Sequence, residues 1–190
     1  MGIYKQISKT WKSSTPEFKE MHRKRMTTWR TEDTSVRIDK PTRIDKARSL
    51  GYRAKQGVIV VRQRVDRGGR MRPDIKGGRR TAHSYQQKNL AKNYQSVAEE
   101  RANENYSNCE VLNSYFVGKD GLHYWYEVIL LDRTNPAIQK DEIYHGIITQ
   151  TGRVYHGITS AARKSRGLRG KGFGYEKSRP SNKAAGGHAN

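Results

Sequence analysis

The apolar positions of this chain fall into a few short runs parted by long polar stretches, and their spacing changes along its length. Phe18, Met21, His22, Arg25, Met26 and Trp29 recur every three to four positions, which is the period of one helix face. Thr15 stands where an N-cap would sit, Pro16 at the first helical position and Glu17 in the first turn, so a helix is predicted over residues 18–29. Residues 4–11 read as another helix, broken off by Ser13-Ser14-Thr15-Pro16. Residues 31–41 read as a polar connection and residues 44–54 as a short helix ending near Gly51 or Gly57. Val58-Ile59-Val60-Val61 opens a strand that runs on to Val65 with alternation, Arg62 and Arg64 on one face and Val61, Gln63 and Val65 on the other. Gly68-Gly69 ends it.

Residues 67–88 are rich in Gly and Arg with almost no apolar period and predict an extended arm. Residues 89–105 carry Leu90, Tyr94, Val97, Ala98 and Ala102 at helical spacing. The strongest strand pattern follows, residues 111–117 and 124–131 flanking Gly118-Lys119-Asp120-Gly121, an Asp-Gly turn that predicts a hairpin. Residues 137–141 fit a single helical turn, and residues 143–148 a short additional strand. From Ser160 onward Gly alternates with cations and no core-forming period survives. The fold class predicted is α/β (α+β), a small mixed sheet with a β-hairpin packed on helices. Its divisions are a basic helical region (1–57), a core strand (58–66), a basic arm (67–88), the remaining core with hairpin 111–131 (89–159), and a basic Gly-rich tail (160–190).

Charge sharpens that division. Residues 1–92 hold 25 Lys/Arg against 8 Asp/Glu, residues 93–160 hold 5 against 9, and residues 161–190 hold 8 against 1. The net charge of +20 therefore sits in two blocks around a near-neutral centre, an arrangement of like charges that calls for a polyanion. Hydrophobic residues make up 33%, below the roughly 45–50% of an average globular chain counted with Gly, so the core is modest and long segments depend on a partner for order. The single cysteine, Cys109, excludes an internal disulfide and a multi-Cys zinc site, and its place beside an apolar run predicts a buried small hydrophobe. No apolar stretch approaches the roughly 20 residues that span a bilayer, and the basic runs lack the Leu/Phe stripe of a membrane-surface helix. The opening residues lack the apolar stretch of a signal peptide, and an intracellular, cytoplasmic protein is expected.

Catalytic patterns are sparse. His22, His83, His123, His145, His156 and His188 form no i, i+4 pair, and neither a His-Glu-x-x-His nor a Gly-x-Ser-x-Gly pattern occurs. In Gly170-Lys171-Gly172-Phe173-Gly174 the lysine is followed by Gly rather than Ser or Thr, so it is no phosphate-binding loop of the nucleotide-hydrolase type. Glu99, Glu100 and Glu104 read as a solvated acidic helix face, and Asp45, Asp66 and Asp74 as isolated acids held charged by neighbouring arginines. No catalytic residue, metal ligand, cofactor or small-molecule substrate is expected.

Nucleic acid fits the cations far better. Three clusters recur: Arg43, Lys46, Arg48, Arg53 and Lys55; then Arg62, Arg64, Arg67, Arg70, Arg72, Lys76, Arg79 and Arg80; then Arg163, Lys164, Arg166, Arg169 and Lys171. Arginine's planar fork suits phosphate oxygens and base stacking, Gly lets a backbone approach closely, and Tyr52, Tyr85 and Tyr175 are candidate stacking rings. Cations on irregular arms, with no helix-turn-helix or zinc finger, point to a large folded RNA rather than duplex DNA. An RNA-processing enzyme and a DNA-compacting protein are the alternatives that use the same basic surface.

Longer motifs narrow the choice. Pro41-Thr-Arg-Ile-Asp-Lys-Ala-Arg-Ser-Leu-Gly-Tyr-Arg-Ala-Lys-Gln-Gly57, Ser96-Val-Ala-Glu-Glu-Arg-Ala102, Val111-Leu-Asn-Ser-Tyr-Phe-Val-Gly118, Glu127-Val-Ile-Leu-Leu-Asp132 and Gly157-Ile-Thr-Ser-Ala-Ala-Arg-Lys-Ser-Arg-Gly-Leu168 occur in one order over most of the chain. This order resembles the archaeal/eukaryotic large-subunit ribosomal protein family L-fifteen-e. Ala162 stands where the family has Gly and Ile158 where Leu is common, and the absence of a long Arg-rich tail after Gly187 brings the chain nearer the archaeal form. The resemblance implies a non-enzymatic constituent of the large ribosomal subunit that binds rRNA and neighbouring ribosomal proteins. It also implies that the Lys and Arg of residues 41–57 and 160–172 make RNA contacts.

Overall fold

The computed structural model describes residues 2–13, 15–70, 77, 89–176, 178 and 179. Most of the predicted arm at 67–88 lies outside the described residues, as do Arg72, Lys76, Arg79, Arg80 and Tyr85. The chain runs α1 (Ile3–Ser13), α2 (Pro16–Thr31), β1 (Ser35–Ile38), α3 (Ile44–Ser49), β2 (Val58–Asp66), α4 (Tyr94–Asn105), β3 (Cys109–Lys119), β4 (His123–Asp132), α5 (Pro136–Gln139), α6 (Glu142–Ile148) and α7 (Ser160–Ser165).

The Tyr-Trp-Tyr-Glu-Val-Ile-Leu-Leu run of β4 has no polar alternation because it lies inside the sheet with both faces covered. Strand order is β1-β2-β4-β3, with Val61 opposite Val128 on one side of β4 and Tyr115 opposite Glu127 on the other. Two register shifts, at Val111/Asn113 and Phe116/Gly118, bend β3 around the helices. On one face Val61, Val65, Val128 and Leu130 meet Ala98 and Ala102 of α4, whose small side chains let that helix approach the sheet closely. On the other, Val60, Tyr115, Trp125 and Ile129 meet Trp29 of α2, Ala47 of α3 and Tyr52. Leu131 closes the end of the sheet with Ile138, Tyr144 and Ile148 from α5 and α6. Burying a Leu, Ile or Val side chain contributes about 1.5–3 kcal/mol, so this two-faced sheet carries most of the stability of a chain poor in apolar residues. Gly57, at φ +83°, is required where it stands, since a Cβ there would meet Ile138 Cγ1 at 2.5 Å and Asn135 Cβ at 2.9 Å.

The α/β class, the hairpin and the Thr15 cap are as expected, Thr15 accepting from the Phe18 N–H at 3.3 Å. Five local expectations need correction. Every pairing in the sheet is antiparallel rather than mixed. The polar connection at 31–41 contains β1, whose four residues pair by backbone along β2 and are too few to display a period. Residues 143–148 form α6 instead of a strand: Asp141 accepts from the Ile143 N–H at 3.1 Å, and this cap and the burial of Tyr144 and Ile148 override the strand preference of three isoleucines. The tail begins with α7, capped by Thr159 and buried through Ala161 and Ala162, two residues too small to register as an apolar stripe. Helix α4 starts only at Tyr94, where Asn93 Oδ1 accepts from the Ser96 N–H at 2.7 Å.

Candidate nucleic-acid interface

The strand that carries Arg62 and Arg64 buries the first and half-buries the second. Arg62 is 9% exposed; its guanidinium stacks 4.6 Å above the Trp29 ring and pairs with the Glu32 carboxylate. Arg64 Nη1 donates to the carbonyls of Arg30 (2.9 Å) and Glu32 (3.3 Å), tying the end of α2 to the sheet. Arg67 lies over Tyr124 and donates to the Asp120 carbonyl at 2.8 Å, at the hairpin tip. Arg43 stacks 4.6 Å from the Trp11 ring centroid and pairs with Asp45 at 3.2 Å, which joins α1 to α3. Arg166 donates to the carbonyls of Tyr155 (2.9 Å) and His156 (3.1 Å), and Lys55 reaches Asp141 at 2.9 Å. These six cations are engaged within the protein.

Lys46, Arg48 and Arg53 are exposed on and after α3, and Arg70 is exposed just beyond β2. Arg163 and Lys164 are exposed on α7, and Arg169 and Lys171 on the loop after it. Arg163, Arg169 and Lys171 line one open cavity of about 510 Å³ together with Arg179, Ile158, Ser160 and Leu168. Lys164 faces a different cleft of about 690 Å³, walled by Gly68, Gly69, Tyr94, Tyr124 and Tyr126. The structure thus joins Arg163, Arg169 and Lys171 and leaves the α3 cations apart from them. Sequence reading missed Arg179, whose setting in the Gly- and cation-rich tail was the available signal. Tyr52 is no stacking ring: it is buried with Trp29 and Ala47.

Glu104 is exposed and Glu100 partly so, as expected of a solvated acidic face, but Glu99 is not. It is fully buried and accepts from the hydroxyls of Ser114 (2.5 Å) and Thr159 (2.6 Å), joining α4, β3 and the cap of α7. Glu127 likewise accepts from the Tyr115 hydroxyl and the Thr42 N–H, and Glu110 from the Gly152 N–H at 2.8 Å. Burial raises the carboxyls of Glu99 and Glu127 above the ordinary carboxylate range, with the hydroxyl donors opposing it. Cys109 is buried, and desolvation followed by the Asp132 charge pushes its thiol up to about 11, as expected of a packed, unreactive residue. Among the described residues, no three His, Cys, Asp or Glu side chains converge as a metal site requires.

The buried carboxylates tie elements together and the exposed cations face outward, the arrangement of a basic scaffold protein. The family model described as Ribosomal L15 matches residues 2–185, and the chain belongs to that family. It is 49% identical over 190 residues to the large ribosomal subunit protein eL15 of Picrophilus torridus, covering 98% of this chain and 97% of that one. It is 47% identical over 186 residues to the protein of the same name from Nanoarchaeum equitans, covering 97% and 98%. The family is structural and not enzymatic.

Proposed function

We propose that this structural constituent of the large ribosomal subunit holds folded rRNA through its outward cations and uses its inward cations to keep that surface in shape. The carrying observation is the division itself. Lys46, Arg48, Arg53, Arg70, Arg163, Lys164, Arg169 and Lys171 are exposed, whereas Arg43, Arg62 and Arg64 are half-buried or buried against protein partners, and Lys55, Arg67 and Arg166 are bonded to protein groups while still reaching the surface. Arg72, Lys76, Arg79 and Arg80 belong to the proposed RNA surface by their composition alone. The near-neutral centre (93–160) is the face offered to neighbouring ribosomal proteins, and the cytoplasmic ribosome is where the assembly resides.

Binding of this kind releases counterions, and a chain holding ten phosphates gives a slope of log K against log salt of about −7 to −9. Sedimentation of a native lysate tests the reading. The chain is expected in the large-subunit peak at one copy per particle and to stay there after a high-salt wash. Release at moderate salt would show a peripheral nucleic-acid-binding factor instead. No helix among the described residues is long and apolar enough to cross a membrane.

A further inference from the structure

The loop after α7 is folded back on itself by its own bonds. Arg179 Nη1 donates to the Gly170 carbonyl at 2.9 Å, and the Ser178 N–H donates to the Tyr175 carbonyl at 3.1 Å. The Tyr175 ring packs directly on Gly170, where a Cβ would meet it at 2.1 Å. These constraints place Arg163 from the helix, Arg169 and Lys171 from the loop and Arg179 from the returning segment around a single cavity of about 510 Å³. No carboxylate lines it among the described residues. Glu176, the acid nearest in sequence, accepts instead from the Gly174 N–H at 2.9 Å. Elsewhere the protein sets carboxylates against its gathered cations, as at Arg43, Lys55, Arg62 and Lys92.

Four uncompensated cations held around one space repel one another unless an anion enters, and a single RNA phosphate carries only one negative charge. The cations also approach the open cavity from three chain segments, where consecutive phosphates of a straight strand would be met by a row along one segment. Resting on the rRNA-binding reading above, we infer that this cavity takes a pair of RNA backbone phosphates brought closer together than their own repulsion allows. Such a pair arises where two strands cross or where one strand bends sharply. Ile158, 42% exposed, and Leu168 supply an apolar patch on which the intervening sugars can rest.

The test uses the full chain and deproteinised large-subunit rRNA. Arg169→Gln with Lys171→Gln is expected to flatten the salt slope by about two, and Arg169→Lys with Lys171→Arg to restore it. Both residues are exposed, so circular dichroism should show the sheet unchanged. The position of the phosphates is read by placing an iron chelate on Phe173→Cys, a fully exposed loop residue, since Cys109 is buried and stays unmodified. Backbone cleavage in two segments remote in the RNA sequence identifies a strand crossing, and cleavage on both arms of one non-helical turn identifies a bend. Cleavage confined to one regular duplex run, or a slope that the double glutamine variant leaves unaltered, would overturn the inference. Failure of the unaltered chain to bind this rRNA at all would sink the rRNA-binding reading itself, and this inference with it.

Discussion

Arg62 on β2 and Arg169 after α7 come from equally basic stretches, yet one is part of the core and the other faces outward. The difference is in what stands across from each. Arg62 points at a Trp ring and a carboxylate delivered by α2, so its charge is neutralised and its flat guanidinium packs like an aromatic. Arg169 lines an open cavity with three further cations and no described carboxylate. Density of positive charge therefore does not set a cation's role by itself; the neighbours decide whether it supports the fold or is left facing outward.

The sharpest way to break that distinction is at Arg62. Arg62→Ala strips the cover from Trp29 and leaves Glu32 without its partner, and a loss of about 2–3 kcal/mol in unfolding free energy is expected. Arg62→Lys should recover only part of it, because an ammonium cannot lie flat on the indole. Chemical denaturation reads both. If Arg62→Ala unfolds at the parental midpoint but binds rRNA with a flatter salt slope, Arg62 belongs with the outward cations and the comparison fails.

Glu99 makes the same point with the opposite sign. Glu99→Ala leaves the Ser114 and Thr159 hydroxyls without an acceptor, at a cost of about 1–3 kcal/mol, while Glu99→Gln keeps an oxygen and the shape. Burial raises the Glu99 carboxyl in the folded protein above its ordinary 4.5, so the stability it contributes is fully present below pH 4.5 and is lost as pH rises through the folded value. Glu99→Gln has no such proton to lose. Its stability relative to the parent should therefore improve on going from pH 4 to pH 7, and an unchanged difference between the two pH values would refute the assignment.

What was legible beforehand follows from these examples. Strand β2, the hairpin and helices α1, α2 and α4 could be read because each is long enough to repeat its own period. Strand β1, α6 and α7 could not: they are four, seven and six residues long and are set by backbone pairing, by caps and by tertiary burial. Alternation along β2 placed Arg62 and Arg64 correctly on one face, but no local pattern says that Trp29 and Glu32 cover that face. Glu99 was misread for the same reason, since its partners lie 15 and 60 residues away. The cavity cations stood out as a basic tail, whereas their convergence depends on the Arg179-to-Gly170 bond.

A smaller effect is expected at the hairpin tip, where the half-exposed Arg30 meets an acid. Burial works against the charge of Asp120, but the N–H groups of His123 and Leu122 and the Arg30 guanidinium outweigh it and hold its carboxyl down to about 2. A depressed folded value means a contribution present above the ordinary 3.8 and lost as pH falls toward 2. Asp120→Asn should abolish that loss, so acid titrations of parent and variant should converge between pH 4 and 2. Parallel curves through that window would show that Asp120 does not hold the tip by its charge.

The smallest change in stability is expected at Lys46 and Arg48, and it bears most directly on the comparison. Both are exposed in the last turn of α3, where their charges favour the helix dipole only slightly, so Lys46→Gln with Arg48→Gln should cost less than about 1 kcal/mol. Were they mere solvated charge, rRNA binding would lose only a weak long-range attraction, and the salt slope would hardly move. Direct phosphate contacts predict instead a slope flatter by about two, with affinity reduced alike for every RNA sequence offered. The inward Arg62→Ala change should give the mirror result, a lowered unfolding midpoint with the slope of the remaining folded protein preserved. Opposite responses at the two sites are what a division between supporting and contacting cations requires, and equal responses would mean that burial does not separate them.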